Sequence, residues 1–208
     1  MQVCDSIEDL SRRAQLDTRA LKQLADAGAL APLAGHRRNA HWLAAGTQRS
    51  SQLLQDAPIR ETAPQLPAPS EGQDITADYT STGLTLGRHP LALLRPRLAR
   101  MKLVTAKQLA QLPNGQRTRA AGIVTCRQRP GTASGVVFVT LEDETGYINV
   151  VVWNHIVERQ RRELLGSRLM AVEGEVQTES GVVHLIARRL TDHTPMLGSL
   201  STTSRDFH

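Results

Sequence analysis

Arg117, Arg119, Arg127 and Arg129 fall at odd positions around one stretch of chain, and Phe138, Tyr147 and Trp153 follow it. Guanidinium groups neutralise phosphates, and flat rings give bases a surface on which to stack. These are the two components that hold an unpaired nucleic-acid strand, each exposed stack contributing about 1–3 kcal/mol. A row of arginines against phosphates would make binding fall steeply with salt. Trp153, where a strand gives way to a helix, is the one of the three rings whose position favours packing over stacking. Upstream, Arg88, Arg95, Arg97, Arg100 and Lys102 continue the positive series, and Arg97, Arg100 and Lys102 extend the candidate interface.

The charge is local. From Tyr79 to Leu141 there is no Asp or Glu and there are 10 basic residues, although the whole 208-residue chain carries only +5. The remaining 15 basic residues are outnumbered by 20 acidic ones, so all the positive excess lies in that segment. Such asymmetry points to a polyanionic partner more directly than a uniformly basic composition does.

Catalytic chemistry finds no comparable footing. Glu142, Asp143 and Glu144 crowd one turn, where carboxylates are ordinary surface residues, whereas a two-metal site needs carboxylates converging from separate elements. His89, His155 and His184 lack a spacing that would bind metal or activate a nucleophile. Cys4 and Cys126 make neither a CxxC pair nor a disulfide framework, and no P-loop or dinucleotide-binding glycine pattern occurs. The expectation is therefore no catalytic residue, no metal ligand and no cofactor. With neither a signal-peptide pattern nor an apolar run near the ~20 residues of a membrane span, the reading is a cytoplasmic protein without membrane contact.

Five strands must position these groups. Residues 117–128, 136–143, 147–153, 168–177 and 182–190 read as strands, with a helix between the third and fourth. Ile148, Val150 and Val152 alternate toward one face, leaving Tyr147, Asn149, Val151 and Trp153 on the other. Asp143-Glu-Thr-Gly146 is hairpin chemistry, and Gly122 and Gly174 sit where a small barrel needs bends or bulges. This is the ground plan of an OB-fold, whose loop between the first two strands and whose second and third strands border the ligand groove. The loop here is Arg129-Pro-Gly-Thr-Ala-Ser-Gly135; the hairpin between the last two strands carries Glu179 and no cation.

Before the barrel, residues 1–48 read as a small helix-hairpin-helix-like unit. Ser6 and Asp17 are set as helix caps, Leu16 and Leu21 as a hydrophobic staple, and Gly28 as a left-handed helix stop. Residues 49–78 read as a Pro-rich polar linker, 79–115 as a basic helical connector, 116–192 as the OB-fold domain and 193–208 as a loose tail. The fold class is α+β.

The run Arg127-Gln-Arg-Pro-Gly-Thr-Ala-Ser-Gly-Val-Val-Phe-Val-Thr-Leu-Glu-Asp-Glu-Thr-Gly146, with Asn149-Val-Val-Val-Trp153, resembles the bacterial error-prone DNA polymerase of the C family, a relative of the DNA polymerase III alpha subunit. Thr82-Gly-Leu-Thr-Leu86, His89-Pro-Leu91, Leu16-Asp17, Ala27-Gly-Ala-Leu30 and the ending Ser204-Arg-Asp-Phe-His208 support it. The resemblance covers nearly the whole chain and implies the C-terminal part of that polymerase, without the PHP and palm domains. It implies a parent enzyme that adds nucleotides with Mg²⁺ during translesion synthesis, DNA repair and damage-induced mutagenesis. This piece would lack the active site and be inactive alone. Its implied partners are single-stranded DNA, the missing polymerase catalytic domains and accessory mutagenesis proteins. The alternative is an OB-fold protein-interaction module that docks those accessory proteins.

Overall fold

A computed structural model describes residues 4–47, 64, 66–131, 135–179, 181–200 and 204–207. Most of the expected linker, Thr132–Ser134 of the arginine-flanked loop, Ser180 of the last hairpin and the terminal His208 lie outside the described residues. The chain divides into two compact units, 1–85 and 86–208.

In the first unit, helices α1 (Ile7–Ala14), α2 (Thr18–Asp26), α3 (Ala31–Ala34) and α4 (Arg37–Gly46) enclose Ile7, Leu21, Ala25, Leu30, Ala40 and Ala44. The caps are those the sequence implies: the Ser6 hydroxyl accepts from the Asp9 amide at 3.0 Å and the Asp17 carboxylate from the Ala20 amide at 2.7 Å. Gly28 has left-handed backbone just beyond α2.

A fifth helix, α5 (Glu71–Thr82), corrects the domain boundaries. It occupies the end of the stretch read as linker. The Ser70 hydroxyl accepts from the Gln73 amide, and the Gln73 side chain accepts from the Ser70 amide, so a complete capping box starts it. Ile75 is buried, and Arg37 pairs with Asp74 and Asp78. This helix thus belongs to the helical unit, and the break in the chain falls at residue 85.

The second unit begins with α6 (Pro90–Arg100) and α7 (Ala106–Leu109) and continues into β1 (Arg117–Gln128), β2 (Val137–Asp143) and β3 (Gly146–Val152). Short helices α8 (Asn154–Arg159) and α9 (Arg161–Gly166) lead to β4 (Leu169–Glu179) and β5 (Val182–Asp192), and a last strand, β6 (Arg205–Phe207), follows. The sheet order β2-β3-β5-β4-β1 closes on itself because β1 also pairs with β2. All neighbours are antiparallel except β3 with β5 and β1 with β6. This is the five-stranded OB barrel.

Its core holds Val139, Leu141, Ile148, Val150, Val152, Met170, Val172, Val176, Leu185 and Leu190, with Ile156, Val157 and Leu164 of the helices alongside. Gly122 lies where β1 leaves β4 for β2: a Cβ there would stand 2.7 Å from Leu141 Cβ and 2.9 Å from the Glu142 carbonyl oxygen. Gly174 sits at a register shift between β4 and β5, where a Cβ would come within 2.2 Å of the Ile186 carbonyl oxygen. Both strand glycines are therefore required by the backbone's close approach. The tail read as loose returns to the barrel, where 205–207 run parallel to Cys126–Gln128.

Candidate nucleic-acid interface

The outer face of β2 and β3 is set by register. Phe138 lies opposite Val151, Thr140 opposite Asn149 and Glu142 opposite Tyr147. Cross-strand partners share a face, so Phe138, Tyr147 and Asn149 all point away from the core, and Trp153 follows in the same alternation. The three rings are 38%, 67% and 48% exposed respectively. Trp153, whose position favoured packing, therefore stands in solvent, at the N-cap of α8.

The arginines do not form one row. Arg117 and Arg119 are exposed on the outer face of β1, but Arg127 is buried. The reason is a bulge. The pairing of β1 with β2 skips a residue between Val124 and Cys126, which sets Arg127 opposite the inward-facing Val139. One extra residue exchanges the two faces of a strand. Arg127 donates from Nε to the Leu164 carbonyl at 2.7 Å, from Nη2 to the Ser167 carbonyl and from Nη1 to the Ser204 hydroxyl at 2.6 Å. It is an internal strut joining β1, α9 and the returning tail, and its assignment as a phosphate ligand is withdrawn on that ground.

Arg117 and Arg119 face carboxylates. They stand opposite Glu175 and Glu173 of β4, while Arg189 of β5 stands opposite Glu173 and Arg188 pairs with Glu175 at 2.8 Å. Cations and anions alternate across β1, β4 and β5, so the positive charge there is locally offset. A small depression of about 170 Å³ lies between Arg119, Glu173, Arg189 and Thr191. Arg119 also donates to the Met101 carbonyl at 3.3 Å. Burial pushes the His193 imidazole below its ordinary pKa; Asp192 opposes this, and the charges of Arg119 and Arg97 reinforce it. Arg97, Arg100, Lys102 and Arg129 are exposed.

The acidic turn is not ordinary surface. Asp143 is buried and accepts from the Ala106 amide at 2.8 Å, the Thr145 amide and hydroxyl at 2.7 Å each and the Gly146 amide at 3.1 Å. Arg95 reaches from α6 to Asp143 at 3.2 Å and to both oxygens of Glu144. Burial acts to raise the Glu144 pKa, but the hydrogen bond from Arg95, a backbone bond and the charges of Arg95 and His89 outweigh it and hold the group below its usual value. The connector is thus latched to the tip of the β2–β3 hairpin. Arg95, Asp143 and Glu144 serve that latch.

Sequence reading missed the cations of β5. Arg188 lies two residues past Ile186, the parallel partner of Val151, and its side chain pairs with Glu175 of β4. Arg159 of α8 donates to the Arg188 carbonyl at 3.3 Å. The signal was present in the OB plan itself, whose third and fifth strands run side by side. Among the described residues no group of three or more His, Cys, Asp or Glu side chains is placed to hold a metal ion, and no helix is long and apolar enough to cross a membrane.

Comparison with known proteins agrees with this geometry. A family model described as an OB-fold nucleic acid binding domain (tRNA anti-codon) matches residues 107–192. The chain is 54% identical to the error-prone DNA polymerase of Aromatoleum aromaticum over 202 residues, covering 97% of this chain and 19% of that protein. It is 58% identical to the error-prone DNA polymerase of Azoarcus sp. over 200 residues, covering 96% and 19%. The chain therefore spans about a fifth of the length of these relatives, and the segment it resembles is their C-terminal part. Among solved structures, asparaginyl-tRNA synthetase from Pyrococcus horikoshii is 24% identical, covering 43% of this chain and 22% of that chain with a TM-score of 0.38.

Proposed function

We propose that this chain, the counterpart of the C-terminal fifth of an error-prone DNA polymerase, holds single-stranded template DNA on the outer face of its β2–β3 hairpin. One observation carries the reading: the barrel's three aromatic side chains, Phe138, Tyr147 and Trp153, share that face and stand exposed. Large rings usually bury, and a shared exposed apolar face marks a binding surface. Bases stack on the rings while the exposed Arg129 at one border meets phosphates. Arg97, Arg100 and Lys102 extend the positive surface beyond it, whereas Arg117 and Arg119 face the carboxylates of β4. Nucleotide addition with Mg²⁺, which the resemblance implies, is assigned to the part of the relatives' length that this chain does not match.

The test is titration of labelled oligo-dT at several salt concentrations. Binding is expected to weaken linearly in log K against log salt, and the triple change F138A/Y147A/W153A is expected to abolish it. Unchanged binding by that variant would refute the assignment.

A second reading has its own support. Glu142 lies opposite Tyr147 and Glu179 opposite Val182, itself exposed. Carboxylates beside exposed apolar groups suit a basic protein partner better than a phosphate chain. Docking of an accessory mutagenesis protein would then use the same face, and the oligonucleotide titration would show no binding.

A further inference from the structure

The pairing of β1 with β4 ends at Ile123, opposite Leu169. Past that point β4 no longer covers the edge of β1, and β6 takes its place. Cys126, Arg127 and Gln128 pair with Arg205, Asp206 and Phe207 on one side and with Thr140, Val139 and Phe138 on the other. Gln128 therefore lies between β6 and the stacking residue Phe138, and the next residue along the chain is the exposed Arg129.

The entry to β6 is fixed as well. The buried Arg127 donates from Nη1 to the Ser204 hydroxyl at 2.6 Å, while its other nitrogens hold the Leu164 and Ser167 carbonyls. At the far end of the β1–β2 loop, Gly135 lies against α8: a Cβ there would stand 2.4 Å from Asn154 Oδ1. The loop thus springs from two anchored points. The one beside Arg129 is anchored by a strand from outside the five-stranded barrel.

We infer that β6 is a positioning element for the nucleic-acid interface, holding the end of β1 so that Arg129 and Phe138 meet the same unpaired strand. The inference rests on the single-strand reading above. Pairing fixes the backbone at Cys126–Gln128 before a ligand arrives, so less of the ordering cost falls on binding. The barrel closes through β1 and β2 without β6, so losing β6 disturbs the interface before the core. Linkage makes the effect mutual: DNA that binds better when β6 is docked also holds β6 in place.

The experiment compares oligo-dT titrations of the wild type, a deletion of residues 204–208, R129A, and the deletion combined with R129A. The deletion is expected to weaken binding about 3- to 10-fold, the range for ordering one or two side chains, and to lower the salt slope by about 1, as R129A does. Because both changes act through Arg129, the combined variant is expected to bind no more weakly than R129A within about 2-fold, the non-additivity of coupled sites. A second measurement uses the wild type alone, so it does not depend on how the deletion folds. Saturating oligo-dT is expected to slow hydrogen exchange at Arg205–Phe207. Unchanged binding by the deletion, losses that multiply with those of R129A, or exchange at β6 indifferent to DNA would each overturn the inference and leave the single-strand reading standing. Absence of wild-type binding would overturn both.

Discussion

Arg117 and Arg127 share one strand and meet opposite surroundings. The first is exposed; the second donates to two carbonyls and a hydroxyl inside the barrel wall. R127A leaves buried acceptors unpaired and is expected to cost about 2–4 kcal/mol, read as a lower melting temperature. R117A is expected to change stability by no more than about 0.5 kcal/mol, and R129A to reduce the salt slope of oligonucleotide binding by about 1. Titration of two histidines belongs at this scale as well. Burial lowers the pKa of both His89 and His193, so the folded state favours neutral rings. The stability this provides is present above the unfolded value of about 6.5 and is lost as pH falls through the lower folded values. Nδ1 of His89 accepts the Leu91 amide at 3.1 Å as a helix cap. H89N keeps a capping acceptor and is expected to flatten the fall in melting temperature between pH 7.5 and 5.5.

At the scale of elements, the latch between connector and hairpin is one buried carboxylate. D143A removes the acceptor for three amides and the partner of Arg95 together. It is expected to cost about 3–5 kcal/mol, as breaking a buried pair does, and to speed hydrogen exchange at Ala106, Thr145 and Gly146. Much of this level was legible beforehand. Alternation in Ile148, Val150 and Val152 fixed the faces of β3, and the strand glycines marked the barrel's corners. What escaped had physical reasons. The bulge at Thr125 is a property of pairing, invisible in the β-favouring run Ile123-Val-Thr125, and it moved Arg127 to the other face. The start of α5 was masked by its Pro-rich approach, although Ser70 and Gln73 stand at capping-box spacing. The role of Asp143 depends on amides that come from α7, far away in sequence, so turn composition alone could not reveal it.

At the scale of the whole molecule, each unit carries ion pairs of its own. Arg37 pairs with Asp74 and Asp78 inside residues 1–85, and Arg95 with Asp143 and Glu144 inside 86–208. Residues 86–208 produced alone are expected to unfold cooperatively and to bind oligo-dT with the same salt slope as the full chain. A slope shallower by more than about one phosphate equivalent would show that the helical unit carries part of the contact.

The first barrel strand divides its length between two neighbours, β4 before Gly122 and β2 after it. Its second half finds β2 next along the chain, while its first half waits for β4, with Arg117 meeting Glu175 across most of the domain. On the ribosome, the hairpin can zip while that leading half still lacks a neighbour, an open edge of the kind that recruits other chains. Barrel closure is then a late, topologically distant step, and distant pairing is what slows folding into the millisecond-to-second range.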